Sequence, residues 1–154
     1  MLDTILWKSG NVNRWHANAD YRLRNSCDTN AAHSFRVMML MDRLFPDASK
    51  DELRQAMYHD TPEVVTGDTP HTTKAEYGDP MKQIESAVRT RFDIPEPGSK
   101  KVKLCDSIDA IMWMKNVAPD LRDRNDWIAH RNKTFAIARE FGSEVSAKVE
   151  RLIS

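Results

Sequence analysis

Residues 58–68, YHDTPEVVTGD, decide the fold because they join a predicted helix to a group of ionisable side chains. The run before them, Asp51–Met57, has leucine, alanine and methionine at spacings that share one face of a helix. We therefore expect His59 and Asp60 on the last turn of this helix, and Pro62 suits the break that follows. Adjacent helical residues lie about 100° apart. Both side chains can then converge on one ion only where the helix end faces a cavity.

The composition is that of a globular protein with one domain, residues 1–154. Lysine and arginine number 23, aspartate and glutamate also number 23, and the net charge is zero. This balance argues against binding a nucleic-acid polymer through its phosphates. No apolar run approaches the ~20 residues that span a bilayer, and residues 1–10 lack the pattern of a signal peptide. The two cysteines do not form a disulfide framework. We expect a cytoplasmic protein, or one in the host cytoplasm if a phage encodes it, with no membrane partner.

Helix-forming residues dominate and β-branched runs are missing, which predicts an all-α fold, a compact helical bundle. Thr29 or Asn30 is a plausible N-cap for a long helix, and Ser49 with Glu52 forms a capping box for the next one. Residues 18–30 are polar, so we expect a loop there with a solvated Arg22. Residues 66–80 contain glycines and prolines and predict an ordered loop. The remaining predicted helices are Leu2–Lys8, Pro80–Phe92, Ser99–Val117, Asn125–Phe141 and one from Ser143 to the C-terminus.

Ionisable residues stand on apolar helix faces at three places in the chain. His33 is in line with Val37 and Leu40, and Asp106 is flanked by apolar residues four positions before and after it. The pair at 59–60 ends a third apolar face. Burying an unpaired carboxylate is costly, so each of these groups needs a partner. One shared divalent ion is the most economical partner for all four.

Two imidazoles and two carboxylates form a mixed nitrogen and oxygen site. Such a site suits Mn²⁺, Fe²⁺, Co²⁺, Ni²⁺ or Zn²⁺ and argues against Ca²⁺, which prefers oxygen alone. Mg²⁺ is an option at a second site. Four protein ligands leave coordination positions open for water and for a substrate oxygen, so the ion could activate that water and polarise a phosphoryl group.

These residues resemble the H…HD…D signature of the HD-domain metal-dependent phosphohydrolases. Within that superfamily the chain is similar to bacterial 5′-nucleotidases that act on 2′-deoxynucleoside monophosphates, and to small phage enzymes that remove triphosphate from dATP. The resemblance covers roughly residues 5 to 115. The segments that carry it are NRW (13–15), AHS (32–34), AMYHD (56–60), EVVTGDTP (63–70) and KLCDSIDA (103–110).

The resemblance implies a role for each matching residue. The metal ligands would be His33, His59, Asp60 and Asp106. Glu63 would orient or deprotonate the attacking water, or shuttle its proton, and Arg14 would bind the phosphate through its planar guanidinium. The water would attack the α-phosphorus and release the deoxynucleoside, together with phosphate from a monophosphate or tripolyphosphate from a triphosphate.

The resemblance also implies a sugar pocket. Trp15 would crowd out a 2′-hydroxyl and so favour deoxyribose, and Asp68 would accept a hydrogen bond from the 3′-hydroxyl. The rest of the pocket for sugar and phosphate would consist of Thr69, Pro70 and His71, with His33 beside the substrate.

Several alternatives stay open at this point. Ala32 stands where many relatives have glutamate, and the chain is short between residues 74 and 106, so the monophosphate and triphosphate substrates are both retained. The rival functions are a phosphodiesterase of a cyclic or alarmone nucleotide, a nucleotide-binding sensor without turnover, and a purely structural helical domain. We also expect self-association into a dimer or higher oligomer, for which the apolar face with Trp127, Ile128 and Phe135 is a candidate.

Overall fold

The structure is a computed structural model and describes residues 4–69, 73 and 76–154. Within these residues the regular structure is helical, which confirms the all-α class predicted from the sequence. The α-helices are, in chain order, α1 (Thr4–Lys8), α2 (Tyr21–Arg24), α3 (Asn30–Leu44), α4 (Lys50–Tyr58), α5 (Glu63–Thr66), α6 (Gly78–Phe92), α7 (Lys100–Val117), α8 (Asn125–Arg139) and α9 (Ser143–Ile153). Short 3₁₀ turns at Ser9–Asn11 and Pro119–Asp123 complete the order.

Helix α7 lies at the centre of the fold, because apolar residues occur on most of its sides. It packs against α3, α4, α8 and α9, so buried residues occur on several of its sides. Its buried apolar residues include Leu104, Ile108, Ile111 and Met114, each at most 1 % exposed. A polar residue on this helix therefore stands close to the core unless it faces an opening.

Helices α3 and α4 both begin at the capping residues that the sequence predicts, and these starts determine where the polar residues of each helix lie. Thr29 is the N-cap of α3 and accepts a hydrogen bond from the backbone N–H of Ala32, as predicted. Ser49 and Glu52 form the predicted capping box at the start of α4. Because α4 packs on α3, the last turn of α4 comes to lie beside the first turn of α3.

The segment before α3 is tied to the start of that helix by backbone pairing. Asn13 and Thr29 form an isolated antiparallel bridge. The N–H of Arg14 donates to the carbonyl of Asp28 at 2.9 Å, and the N–H of Asn30 donates to the carbonyl of Val12 at 3.0 Å. Arg14 is therefore held next to the first turn of α3, although it precedes that helix in the chain and is separated from it by α2.

The structure corrects some predicted boundaries. Residues 18–30 include helix α2, and the partly exposed guanidinium of Arg22 pairs with Asp20 and Asp120 at the surface. Helix α6 starts two residues before the predicted Pro80, and the loop predicted for residues 66–80 lies partly outside the described residues. Helix α9 begins at Ser143, with Gly142, at φ 95°, as its N-cap.

The apolar face of α8 predicted as a contact surface belongs largely to the core. Trp127 and Phe135 are partly buried and pack against the hydrophobic core. The large apolar side chains that are exposed include Trp7 and Phe35, at 65 % and 69 %. Self-association itself stays a prediction.

Among the described residues, none of the helices has both the length and the apolar character that a bilayer-crossing segment requires.

The central position of α7 predicts a large cost for a truncation in its buried face. Replacing Ile111 with alanine removes buried methyl and methylene groups and leaves a cavity, so we expect a loss of about 2–5 kcal/mol in the free energy of unfolding. Urea denaturation measures it. The matched control is M112A, because Met112 follows it on the same helix and is 38 % exposed. Equal losses in both variants would contradict a core centred on α7.

Candidate metal centre

His33 occupies the first turn of α3 with its side chain completely buried. Its Nδ1 lies 2.6 Å from Oδ2 of Asp109, a residue of α7. A ring nitrogen at this distance from a carboxylate acts as a donor, which assigns a hydrogen to Nδ1 and leaves Nε2 to bind either a proton or a metal ion. An imidazole oriented in this way by a carboxylate is typical of a metal ligand.

His59 and Asp60 lie just after the end of α4, whereas the sequence predicts them on its last turn. The helix stops at Tyr58, His59 is the C-cap residue, and Asp60 lies outside the helix rather than on its last turn. The backbone then turns, with the N–H of Glu63 donating to the carbonyl of Asp60 at 3.0 Å. Because Asp60 lies beyond the end of the helix, its carboxylate can approach the ring of the adjacent His59, with Oδ2 3.4 Å from Nε2.

The backbone and ring of His59 are both held. Its Nδ1 lies 2.8 Å from the carbonyl oxygen of Ala56, to which it donates. The guanidinium of Arg89, on α6, donates to the carbonyl oxygen of His59 at 2.7 Å and to that of Pro95 at 3.0 Å. Both histidines therefore commit Nδ1 to a protein acceptor and present Nε2 to the same point.

The four predicted ligands meet there, and we call His33, His59, Asp60 and Asp106 the His–Asp cluster. The two Nε2 atoms are 3.0 Å apart. Oδ2 of Asp60 lies 3.3 Å from Nε2 of His33 and 3.4 Å from Nε2 of His59. Oδ1 of Asp106 lies 3.2 Å and 4.0 Å from the same two nitrogens. Ligand atoms of His33, His59 and Asp60 all lie within 4.8 Å of one another, close enough to share an ion.

This arrangement requires a positive charge at its centre. With both Nδ1–H groups donated elsewhere, two nitrogen lone pairs and two carboxylates face one another, and acceptors repel without a donor or a cation between them. Two imidazole nitrogens with two carboxylate oxygens match the preferences of first-row divalent metals. The residues present therefore fit such an ion.

A layer of charged residues surrounds the cluster. Together with two cluster members it contains four aspartates and two arginines, namely Asp28, Asp60, Asp106, Asp109, Arg14 and Arg36. Four negative charges against two positive charges leave two unmatched, and a single divalent cation would neutralise them. Buried charges need such compensation because desolvation is expensive.

The same electrostatics shift the pKa values of His33 and Asp60. Burial works against a charge on His33, but three carboxylate neighbours outweigh it and raise the pKa of the imidazole to about 10. Burial also acts against ionisation of Asp60, yet the neighbouring imidazoles and Arg14 hold the pKa of this carboxyl well below its usual value. A proton on His33 can thus take the place of a cation, and an ion that binds must displace it.

A cavity of about 470 Å³ opens beside the cluster. Three cluster residues line it, namely His59, Asp60 and Asp106, and so does Glu63. Glu63 is 5 % exposed, and its Oε2 accepts a hydrogen bond from the side-chain amide of Asn30 at 3.0 Å. The same amide nitrogen lies 3.2 Å from the carbonyl oxygen of Asp60. Asn30 thus fixes the carboxylate of Glu63 relative to the loop that follows α4.

Comparisons of the chain with models of known protein families, with characterised proteins and with solved structures find no match.

Arg14 and Trp15 lie against the surrounding layer of charges. The guanidinium of Arg14 is 3.2 Å from Asp28 and 3.9 Å from Asp106, so it stands at the edge of the cluster. Trp15 has φ 66°, which is unusual for a bulky residue. Its backbone N–H donates to Asp68 at 2.5 Å and its indole N–H donates to Asp28 at 3.2 Å. Strain held by two such bonds is common at functional sites.

The other predicted pocket residues are only partly described. Thr69 donates its hydroxyl to the carbonyl of Gly67 at 3.2 Å and is half-buried. Pro70 and His71 lie outside the described residues. Arg14, Trp15, Asp68 and Thr69 do not line the 470 Å³ cavity. The residues predicted to bind the sugar thus lie on one side of the cluster, and the cavity opens on another.

Several residues that hold the site have no role predicted from the sequence. Asp109 lies three residues after Asp106 on α7, and its carboxylate binds Arg36 at 2.6 Å as well as His33. The signal that could have identified Asp109 is a charged residue between buried apolar positions of a central helix. Asn30 and Arg89 carried no comparable signal, because their partners are mostly backbone carbonyls or distant in the chain.

Asp109 should control how well His33 binds a metal. D109N preserves the size of the side chain but removes the charge that orients the imidazole, so we expect the affinity for Co²⁺ to fall about 10- to 100-fold. Isothermal titration of the metal-free protein measures this affinity. D42N is the control, because the side chain of Asp42 is 74 % exposed. An unchanged affinity in D109N would contradict the assigned orientation of His33.

Proposed function

We propose that the protein is an HD-domain phosphohydrolase that cleaves 2′-deoxynucleotides with the help of a divalent metal ion. The observation that carries the proposal is the convergence of the two Nε2 atoms, 3.0 Å apart, and two carboxylates on the wall of a cavity that also holds Glu63. A site that only stabilised the fold would have no need for an adjacent cavity or for a further carboxylate in it.

His33, His59, Asp60 and Asp106 would hold the ion. When bound, a divalent ion at such a site polarises a phosphoryl oxygen and lowers the pKa of water. The side chain of Asp106 is 41 % exposed, so this edge of the cluster is the one open to a substrate. The candidates are Co²⁺, Mn²⁺, Zn²⁺, Ni²⁺ and Fe²⁺.

Glu63 would accept the proton of the attacking water. Its carboxylate faces the cavity next to the cluster, and the amide of Asn30 holds one of its oxygens in place. A general base must lie within hydrogen-bond reach of the proton that it takes, and the bond from Asn30 would hold Glu63 for that role. The proton can then pass to the O5′ atom of the leaving sugar.

Arg14 would bind the negative charge of the phosphoryl group. Its guanidinium already stands 3.9 Å from Asp106. Burial works against its charge, but the surrounding aspartates raise its pKa, so the guanidinium stays charged. Donors that are fixed before the reaction stabilise developing charge more effectively than mobile ones.

Trp15 and Asp68 would bind the deoxyribose. The two residues are linked by the N–H of Trp15, and a carboxylate that accepts one hydrogen bond keeps acceptor capacity for a hydroxyl. The ring of Trp15 also packs near Trp127, with centroids 6.1 Å apart, which limits its movement. A rigid indole beside the sugar is suited to exclude a 2′-hydroxyl.

The test is product identification with and without Glu63. Metal-free protein reloaded with Co²⁺ or Mn²⁺ should release phosphate from dAMP or tripolyphosphate from dATP, and should act more slowly on AMP and ATP. E63Q should lower kcat about 10²- to 10⁴-fold, because the base is lost while the shape is kept. Chromatography of the products measures both effects.

E150Q is the matched control for this experiment, since Glu150 is exposed on α9 and does not line the cavity. Its kcat should equal that of the unmodified protein. Failure of the metal-loaded protein to hydrolyse any of the four common deoxynucleotides, as mono- or triphosphate, would contradict the proposal and favour a sensor without turnover.

A further inference from the structure

A second cavity, of about 320 Å³, lies on the other side of the first turn of α3. Its walls come from α1, from the 3₁₀ turn at Ser9–Asn11, from α3 and from the end of α4. It shares no lining residue with the cavity beside the His–Asp cluster. Its volume is at the lower end of the range for small-molecule sites, about 300–1,000 Å³. We call it the α1–α3 cavity.

The walls of the α1–α3 cavity are uncharged and rich in aromatic and thioether groups. Among the described residues that line it, none is a lysine, arginine, aspartate or glutamate. The largely exposed rings of Trp7 and Phe35 line it, together with Met38 and Met57. Such side chains make favourable contacts with a flat ring. A charged group would find no counter-charge there, so these walls suit a neutral molecule.

Asn30 supplies a buried polar group at this cavity, which it also lines. The side-chain nitrogen of Asn30 donates to the carbonyl of Asp60 and to Oε2 of Glu63, and two acceptors on one side fix which end of the amide is the nitrogen. The amide oxygen, Oδ1, therefore lies on the opposite side. It is buried, and among the described residues it has no hydrogen-bond partner. Because Asn30 lines the α1–α3 cavity and not the metal-side cavity, Oδ1 is directed towards the former.

The two features together define the chemistry of a ligand. A residue that is only 3 % exposed cannot leave its acceptor without a donor except at a cost in free energy, so a ligand N–H or O–H would stabilise Oδ1. A water molecule could donate to Oδ1, but it would leave the aromatic and thioether walls without an apolar contact. A neutral aromatic ring that carries a donor meets both requirements.

We propose that the α1–α3 cavity binds a neutral aromatic molecule of one or two rings, which donates an N–H or O–H hydrogen bond to Oδ1 of Asn30. The site does not depend on the proposed hydrolytic function. It is nevertheless connected to Glu63, because one amide serves both. A hydrogen bond accepted at Oδ1 polarises the amide and strengthens the donation from its nitrogen to Oε2.

Two isosteric probes test the acceptor without any substitution of Asn30. Indole has an N–H donor, and benzofuran has the same shape with an oxygen in its place. We expect indole to bind about tenfold more tightly, because only indole forms the hydrogen bond to Oδ1. Titration of the ¹⁵N-labelled full-length protein, loaded with diamagnetic Zn²⁺, measures both dissociation constants by NMR. The side-chain NH₂ resonances of Asn30 should shift with indole and stay nearly unchanged with benzofuran.

A variant in the wall locates the bound ring. F35A removes an aromatic contact at the cavity and should weaken indole binding about three- to tenfold. Phe35 is largely exposed, so its truncation leaves the core intact. Y21A is the matched control, because Tyr21 is similarly exposed and does not line the cavity. Its dissociation constant for indole should equal that of the unmodified protein.

Several results would overturn the proposal. They are equal affinity for indole and benzofuran, saturable binding of neither probe up to its solubility limit, and indole binding that leaves the NH₂ resonances of Asn30 in place. An equal effect of F35A and Y21A would also contradict the assigned site. Sedimentation velocity covers the remaining occupant: a dimer that indole dissociates would show that a second copy of the chain fills the cavity instead of a small molecule.

Discussion

The repulsion between two imidazole lone pairs is the constraint on which the rest of this site depends. His33 and His59 each donate Nδ1–H to a protein acceptor and bring their Nε2 atoms to 3.0 Å from each other, with two carboxylates beside them. Such a group of acceptors is stable only around a cation, whether a metal ion or a proton. The surrounding charges agree, because four aspartates face only two arginines. A fold that keeps this arrangement is organised to hold a cation.

The helices supply the precision that this arrangement needs. Helix α3 contributes His33 from its first turn, α4 ends at the point where His59 and Asp60 are required, and α7 contributes Asp106 from the centre of the molecule. Asn30 and Arg89 then fix the loop after α4 through hydrogen bonds to the carbonyls of Asp60 and His59. These side chains thus stand on elements held by the core, and His59, Asp60 and Asp106 also line the cavity.

The sequence predicted the fold class, the N-cap of α3 and the capping box of α4, because these depend on local patterns of apolar and capping residues. It also singled out the four side chains that meet in the cluster, since ionisable groups on apolar faces are rare. The ion pair between Arg22 and Asp120 could not be predicted, because the two residues are distant in the chain. The supporting roles of Asp109 and Arg89 depend on tertiary contacts, which periodicity does not contain. The functional roles of Glu63, Trp15 and Asp68 stay predictions.

X-ray absorption spectroscopy at the zinc edge tests the central claim most directly. Protein loaded with one equivalent of Zn²⁺ should show two imidazole nitrogens together with carboxylate or water oxygens, at about 2.0–2.2 Å. H33A should lose one imidazole from the first coordination shell, and H130A should not, because His130 lies on α8 outside the cluster. A spectrum with oxygen ligands only, or one that is unchanged in H33A, would contradict a metal centre built from His33, His59, Asp60 and Asp106.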